Sequence, residues 1–350
     1  MTAGVPPREA LAGRYRLDEL IGAGGVARVY RAFDQRLDRY VAVKLFQPAL
    51  DAVARRRFVH EARVLGALNH PGLVRLFDVG VDEGRAYLVM ELIDGPTLLD
   101  MVSQEPLPSI AVARLGAKLA DALAYVHASG VVHRDIKPSN ILIDADQEPR
   151  LADFGFASAL DATRVSPTGQ IVGTAAYLAP EQVRGEHVDT EADIYALGLV
   201  LLECLTGELE YEGPRVEAAL ARLSRPPRIP TVLPAPLAAT LVAMTRSVPR
   251  ERPTAAVCAA RLTDVAARLA TRHGVASLRQ LRRRRAAAAV ALAALAVAGV
   301  LLARSHWQEP AYVQQHAEQP VTSTEAPQPE LPYVPLPMTT LRGTGAAGGR

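Results

Sequence analysis

The sequence has few cysteines and no marked excess of charge of either sign. Its 350 residues include two cysteines, Cys204 and Cys258, and 39 basic against 37 acidic side chains. Both cysteines lie in apolar runs without neighbouring histidines, which argues against a disulfide framework or a zinc site and favours reduced, buried thiols. A net charge of +2 gives no indication of nucleic-acid binding, so we expect no nucleic-acid partner. The N-terminus also lacks the pattern of a signal peptide.

The composition changes along the chain, and these changes predict its organisation. After an N-terminal extension at 1–13, residues 14–272 mix apolar, charged and turn residues as a folded domain does. A basic segment, 273–285, then precedes 286–303, which carries no charge. A helix of that length spans roughly 27 Å, close to the hydrocarbon thickness of a bilayer, and it would lack the polar face of a soluble helix. We therefore predict a transmembrane helix at 286–303.

The flanking charges predict how this segment is oriented. Six arginines lie between Arg272 and Arg285, whereas Arg304 alone follows the apolar stretch closely. The positive-inside rule then places residues 1–285 in the cytoplasm, at the cell membrane, and the C-terminus outside. The tail, 304–350, is rich in proline and has too little apolar sequence for a core. We expect it to be a disordered or extended extracytoplasmic segment.

A cluster of glycines lies near the N-terminus between two predicted strands. The stretch IGAGGVARV, from Ile21 to Val29, nearly matches G-x-G-x-x-G-x-V, in which backbone N–H groups approach phosphates, but Ala27 replaces the third glycine. Leu17–Ile21 and 27–33 have the pattern of strands, so the glycines do not open a helix as they would in a dinucleotide-binding unit. By itself this stretch fits a nucleotide loop and a plain hairpin turn equally well.

A lysine lies within the next predicted strand, 40–46. Lys44 ends the sequence V-A-V-K, and Glu61 follows 17 residues later in a predicted helix. A strand lysine that pairs with a helix glutamate can hold its ammonium group against the α- and β-phosphates of a nucleotide. Taken singly, each residue also fits an ordinary exposed charge.

The segment VVHRDIKPSNILI places three polar side chains in a loop between two predicted apolar strands. Asp135 can orient an attacking hydroxyl and accept its proton, and Lys137 can neutralise charge on a transferred phosphoryl group. Asn140 can ligate Mg²⁺ through its amide oxygen. Asp153 follows in LADFGFA, where a carboxylate suits an ion that bridges phosphates, and GTAAYLAPE ends at Glu181.

These motifs, in this order, make the chain resemble the protein kinase family over about 15–268. A lysine two positions after Asp135, with Thr174 and Tyr177 before Ala-Pro-Glu, is similar to Ser/Thr kinases rather than Tyr kinases. A cytoplasmic kinase domain, one span and an outer tail resemble the layout of the bacterial eukaryotic-type (Hanks-type) membrane-anchored Ser/Thr kinases. Within that pattern, Ala27 is the departure, and we expect Ala27→Gly to change ATP affinity only modestly.

The resemblance implies an α+β, two-lobed kinase fold with a β-rich N-lobe at about 14–90 and a helical C-lobe at about 94–272. It implies an ATP-dependent serine/threonine protein kinase that transfers the γ-phosphoryl group to Ser/Thr hydroxyls of protein substrates in signal transduction. ATP and Mg²⁺, or Mn²⁺ in its place, would be the cofactors. A lipid bilayer would be contacted through one span, and a homodimer would allow autophosphorylation in trans.

The resemblance also implies a role for each matched residue. Lys44, Glu61, Asp135 and Lys137 would be catalytic, and Asn140 and Asp153 would bind the metal. The residues that would contact ATP are Ile21, Gly22, Ala23, Gly24, Gly25, Val26, Ala27, Arg28, Val29, Ala42, Lys44, Met90, Glu91, Ile93 and Leu142. The activation-loop phosphosites would be Thr168 first and Ser166 second.

Structural roles follow from the same resemblance. Four residues would stack as a regulatory spine anchored on Asp193: Leu65, Leu76, His133 and Phe154. Glu181 would form a buried ion pair with Arg252, Arg134 would meet a phosphate on the activation loop, and Thr174 would bond Asp135 and Lys137.

Two other functions remain open at this point. An inactive kinase fold that serves as a membrane scaffold would be favoured by loss of Lys44, Asp135, Asn140 or Asp153, but all four are present. A small-molecule phosphotransferase of similar fold fits less well, because such enzymes usually lack the activation segment through Ala-Pro-Glu.

Overall fold

The computed structural model describes residues 10–24, 27–47, 52–154 and 175–306. The chain divides into two units, Met1–Arg282 and Arg283–Arg350. In the first unit, an antiparallel sheet is followed along the chain by a mainly helical lobe. The two-lobed α+β fold predicted from the sequence is therefore confirmed.

The N-terminal lobe is built on a six-stranded antiparallel sheet with the strand order β1-β2-β3-β4-β6-β5. Alternating β-branched and aromatic residues favour these strands, and their inward side chains form the core of the lobe. Val41, Val43 and Leu45, for example, are buried at every second position of one strand. The strands are β1 (Ala10–Leu11), β2 (Tyr15–Ala23), β3 (Ala27–Asp34), β4 (Arg39–Phe46), β5 (Leu76–Asp82) and β6 (Arg85–Met90).

One helix, α1 (Ala52–Gly66), packs against this sheet. Phe58 and Ala62, one turn apart, are buried on the face that contacts the sheet. The ring of Phe58 meets that of Phe46 edge to face, with centroids 5.3 Å apart. This contact fixes the helix against β4, the strand that carries Lys44.

The helices after the sheet form the second lobe. At its centre, the helix that carries Gly116 packs against the helix that carries Leu201. A Cβ at Gly116 would lie 2.7 Å from a methyl carbon of Leu201, so only glycine permits so close a crossing. Thirteen residues of the helix that carries Leu201 are buried, including Asp193 and Glu203. The helices are α2 (Leu98–Val102), α3 (Ser109–Ala128), α4 (Pro180–Arg184), α5 (Thr190–Thr206), α6 (Arg215–Ser224), α7 (Ala235–Met244) and α8 (Ala255–His306).

A small hairpin, β7 (Ile141–Ile143) and β8 (Pro149–Leu151), lies beside α2 and α3. The prediction of an apolar strand on each side of the polar loop was half wrong. Ile141–Ile143 is a strand, but residues 131–137 have no regular structure. The reason is that the Asp193 carboxylate accepts the backbone N–H groups of His133 and Arg134, which are then unavailable to a strand partner.

The residues predicted to cross the membrane, 286–303, belong to α8. Among the described residues, no helix is both long enough and apolar enough to cross a membrane. The two cysteines are buried free thiols, as the sequence predicts, and burial raises the pKa of each to about 12.

Candidate active site

One buried carboxylate holds the loop that leads to Asp135, Lys137 and Asn140. Asp193, in the first turn of α5, accepts the N–H of His133 and the N–H of Arg134, each at 2.8 Å, and the imidazole of His127 lies 2.9 Å from it. Arg134 has a φ of 66°, a left-handed conformation that is costly outside glycine. These charge-assisted bonds compensate for that cost and aim the next residue, Asp135, away from the core.

Asp135, Lys137 and Asn140 form one hydrogen-bonded cluster. The Lys137 ammonium donates to Asp135 Oδ2 at 2.8 Å, and the Asn140 amide donates to the backbone carbonyl and to Oδ2 of Asp135 at 2.8 and 3.0 Å. Burial by itself would raise the pKa of Asp135, but the Lys137 charge and these hydrogen bonds outweigh burial and hold the pKa below the usual value. Asp135 is therefore a carboxylate at neutral pH.

A second ion pair joins β4 to the start of the segment after β8. The Lys44 ammonium lies 2.8 Å from Asp153 Oδ1, and both side chains are partly exposed. His133 holds the segment through Nε2, 3.1 Å from the carbonyl of Ala152, and through its ring, 4.7 Å from that of Phe154. Burial lowers the pKa of His133, so the imidazole is neutral and can serve as this fixed donor.

The strand register brings together several of the residues predicted to contact ATP. Val29 on β3 is opposite Lys44 on β4, and Ala42 is opposite Met90 on β6. Leu142 on β7 bridges to Thr97, in the connection that leads from the sheet to the helical lobe. The backbone N–H of Glu91 donates to the carbonyl of Arg75. Ile93 lies two residues further on in the same connection.

The glycine-rich stretch is a hairpin, as the two flanking strands predict. Gly22 is opposite Val29 and Ala23 is opposite Arg28, while Gly24 N–H donates to the carbonyl of Ala27 at 2.9 Å. Ala27 is 7% exposed and packs in the core of the lobe with Phe46. Its methyl group therefore fills space under the hairpin, and Ile21 at the end of β2 is exposed.

Some predicted site residues lie outside the described residues. Glu61 belongs to α1, but its side chain is not described, so the predicted contact with Lys44 stays a prediction. The same holds for two positions of the hairpin tip and for the activation loop: Gly25, Val26, Ser166, Thr168 and Thr174.

Among the structural contacts predicted around the site, the buried pair of Glu181 with Arg252 is confirmed, whereas the contacts predicted for Thr174 and Arg134 with the activation loop stay predictions. Arg252 meets Glu181 in a bidentate pair at 2.6 and 2.8 Å, and neither side chain is more than 2% exposed. Leu65, Leu76 and Phe154 line one cavity together with Met90. The ring of His133 contacts that of Phe154, and His133 N–H donates to Asp193, so the four predicted spine residues lie in one region next to Asp193.

No group of three or more His, Cys, Asp and Glu side chains lies close enough to hold a metal ion within the part of the chain that the structure describes. Asp153 and Asn140 offer one carboxylate and one amide oxygen. Ala152, the residue before Asp153, donates its N–H to the carbonyl of Asn140 at 2.8 Å. Hard oxygen donors in small number suit Mg²⁺, which keeps several waters and uses substrate phosphates as further ligands.

Sequence reasoning missed two features of the site. A Cβ at Gly95 would lie 1.8 Å from the carbonyl oxygen of Ile143, so the connection between the lobes requires glycine there. Tyr177 donates to Glu203 at 2.6 Å, and burial raises the pKa of both groups. The acidic residue within the apolar helix sequence LVLLECLT was the available signal for the second feature.

A family model described as the protein kinase domain matches residues 15–261. The chain belongs to the protein kinase family. This chain is 44% identical to the serine/threonine-protein kinase PknB of Mycobacterium leprae over 216 residues, which is 59% of this chain and 34% of that protein. It is 41% identical to PrkC of Bacillus subtilis over 206 residues, or 58% of this chain and 32% of that protein. PknL of Mycobacterium tuberculosis is 43% identical over 206 residues, 58% of this chain and 52% of that protein.

Among solved structures, the crystal structure of the Mycobacterium tuberculosis PknI kinase domain superposes with a TM-score of 0.60 at 26% identity, covering 75% of this chain and 99% of that one. The chain spans between 32% and 52% of the length of these three curated relatives. The comparisons therefore concern the kinase domain.

Proposed function

We propose that this protein is an ATP-dependent serine/threonine protein kinase that transfers the γ-phosphoryl group of ATP to Ser and Thr hydroxyls of proteins. The observation that carries the proposal is the Asp135–Lys137–Asn140 cluster, together with the Lys44–Asp153 ion pair on the segment that Ala152 N–H bonds to Asn140. The similarity of this chain to relatives that are serine/threonine kinases supports Ser and Thr hydroxyls as the acceptors.

Asp135 would act mainly by orienting the acceptor hydroxyl. Its depressed pKa makes it a hydrogen-bond acceptor at neutral pH, but also a weak base, so it takes up the proton late in the transfer. Lys137, bound to the same carboxylate, would neutralise charge on the phosphoryl oxygens as they approach. Such a site works by positioning and electrostatics, as phosphoryl transfer requires.

Lys44 and Asp153 would separate to accept the nucleotide. The Lys44 ammonium would then bind the α- and β-phosphates, with Glu61 as its proposed partner on α1, while Val29, Ala42 and Leu142 would contact the adenine ring. Asp153 and Asn140 would hold Mg²⁺, or Mn²⁺ in its place. When bound, this ion supplies positive charge that neutralises the β- and γ-phosphates.

The test is phosphorylation by radiolabelled ATP, followed by identification of the phosphoamino acid. We expect the wild-type chain to label Ser and Thr, and Asp135→Asn to lose at least about 10²-fold in rate. Asp146→Asn, an exposed substitution of the same kind in the turn between β7 and β8, should retain full activity. Equal labelling by the wild-type and Asp135→Asn chains, or none by either, would contradict the proposal.

We also propose that the chain phosphorylates its own activation loop, with Thr168 as the first candidate site and Ser166 as the second. The proposal is supported by Arg134, whose backbone is fixed beside Asp135 and whose guanidinium could pair with a phosphate on that loop. Phosphosite mapping should find both residues in the wild-type chain and neither in Asp135→Asn. If the wild-type chain also labels the Asp135→Asn chain when the two are mixed, transfer occurs in trans, as in a transient homodimer.

Membrane attachment is a further part of the proposal, and it rests on the sequence of 286–303. It is supported by a run of exposed apolar side chains on α8: Val290, Leu292, Leu295, Val297, Val300, Leu301 and Leu302. Exposed apolar surface of this extent is unfavourable in water and suits a lipid environment. The basic segment before it would keep the kinase domain in the cytoplasm.

We expect the full chain to stay with the membrane fraction after carbonate extraction. A chain with Leu295→Arg and Val297→Arg should be released, because charges at the centre of a span are costly. Retention of that variant, or release of the wild-type chain, would contradict membrane attachment without affecting the proposed enzyme activity.

A further inference from the structure

Arg222, on α6, is a buried arginine that pairs with no carboxylate within the described residues. Its side chain is 1% exposed, and burial lowers the pKa of the guanidinium. Nε donates to the carbonyl of Ala218 at 3.2 Å, Nη2 donates to the carbonyl of Ala176 at 3.0 Å, and Nη1 donates to that of Leu178. The ring of Tyr211 covers one face of the group, 5.0 Å from Cζ. A buried cation is costly, and here three carbonyl oxygens and an aromatic ring compensate for it.

The short segment from Ala176 to Leu178 is thereby held from two directions. Arg222 binds the carbonyls of its first and last residues, while the hydroxyl of the middle residue, Tyr177, donates to Glu203 on α5 at 2.6 Å. The planar guanidinium can reach both carbonyls at once because its two terminal nitrogens form a fixed fork. A lysine at the same position could satisfy only one of them well.

This segment lies next to the catalytic carboxylate. Tyr177 and Leu178 line the same small pocket as Arg134 and Asp135. We expect a peptide that brings its acceptor hydroxyl to Asp135 to pass along the wall that Tyr177 and Leu178 form in this pocket. A shift of Leu178 would therefore change the space for the peptide without touching the nucleotide residues on the sheet.

We infer that Arg222 is a positioning residue for the protein substrate: it holds the carbonyls of Ala176 and Leu178 so that the wall beside Asp135 can receive the acceptor peptide. The inference rests on the proposed kinase function. Neither Lys44, Asp153 nor the sheet takes part in these contacts, so binding of ATP should not depend on them.

The test is a comparison of Michaelis constants for two substrates in full-length variants. The acceptor is a Ser/Thr peptide selected from a random library with the wild-type chain. Arg222→Met should raise the KM for this peptide at least about tenfold, because two part-buried carbonyls lose their donor. Arg222→Lys should raise it less. The KM for ATP should stay within about twofold of wild type in both variants.

Arg225→Met is the matched control. Arg225 lies 4.8 Å from the centre of the same Tyr211 ring and pairs with Glu210, but it does not bond to the segment from Ala176 to Leu178. Its removal should leave both Michaelis constants unchanged. Hydrogen exchange supplies a second measurement, in which the amides of residues 176–179 should exchange faster in Arg222→Lys than in wild type.

An active wild-type chain with an unchanged peptide KM in Arg222→Met, or with equal rises in the KM for ATP and for peptide, would overturn the inference and leave the kinase function intact. Unchanged exchange at 176–179 in Arg222→Lys would also overturn it, even if Arg222→Met does not fold. A wild-type chain without kinase activity would overturn the proposed function, and this inference with it.

Discussion

The ion pair between Glu181 and Arg252 gives the sharpest prediction for stability. Arg252→Met would leave the Glu181 carboxylate buried without its cation. In the structure that carboxylate receives two hydrogen bonds from one guanidinium, at 2.6 and 2.8 Å, and the two side chains are 2% and 0% exposed. Removing one partner of such a pair typically costs about 3–5 kcal/mol, because the remaining charge has lost both water and partner.

The cost can be measured as a shift in thermal unfolding followed by far-ultraviolet circular dichroism. For a domain of this size, each kcal/mol lowers Tm by about 2–4 °C, so Arg252→Met should lower it by roughly 6–20 °C. Glu181→Gln in the same chain should restore part of the loss, since it removes the uncompensated charge. Full recovery is not expected, because Arg252 also donates to the carbonyls of Glu191 and Arg246.

A neighbouring ion pair provides the control. Arg246 lies 2.9 Å from Glu251, a similar distance, but each side chain is 51% exposed. Exposed pairs contribute at most about 1 kcal/mol, so Arg246→Met should lower Tm by no more than about 4 °C. Similar shifts for Arg252→Met and Arg246→Met would refute the argument that burial determines the contribution of the pair.

Three further predictions concern the site and its surroundings. Gly95→Ala should lower the free energy of unfolding by about 1–3 kcal/mol and weaken ATP binding, because the added Cβ would press on the carbonyl of Ile143. In Gly24→Ala the added Cβ meets only ordinary contacts, so this control should be as stable as wild type. Thermal unfolding and nucleotide titration compare the two variants. The two cysteines, with pKa values near 12 and no exposure, should not react with a disulfide reagent at pH 8 until the chain is denatured, and rapid reaction of the native protein would contradict this. Because Lys137 depresses the pKa of Asp135, protonation of Asp135 should lower the wild-type rate only well below neutral pH. In Lys137→Ala this fall in rate should begin at a higher pH. An unchanged pH profile would contradict the role given to Lys137.

Much of the fold could be predicted because its signals are local. The strand that carries Lys44, the helix that follows it and the hairpin around the glycines all have periodic patterns within a few residues. The catalytic loop could be recognised for the same reason, since Asp135, Lys137 and Asn140 lie within six residues of sequence. The erroneous strand before this loop came from the apolar Val131 and Val132. The next two residues, His133 and Arg134, have backbone N–H groups that are bound by Asp193, which is remote in sequence.

The sequence by itself determined the family, the order of the lobes and the charged groups that phosphoryl transfer needs, because each is encoded in a short, ordered motif. Tertiary structure alone decided that Gly95 must be glycine, that Glu203 accepts a hydrogen bond from Tyr177, and that Arg222 is buried. Two partners of Arg222 are carbonyl groups 44 and 46 residues away, and because every residue has a backbone carbonyl, no residue type in the sequence indicates such a contact. Such contacts depend on where α6 crosses the segment before Glu181, and this is fixed only by the packing of the whole lobe.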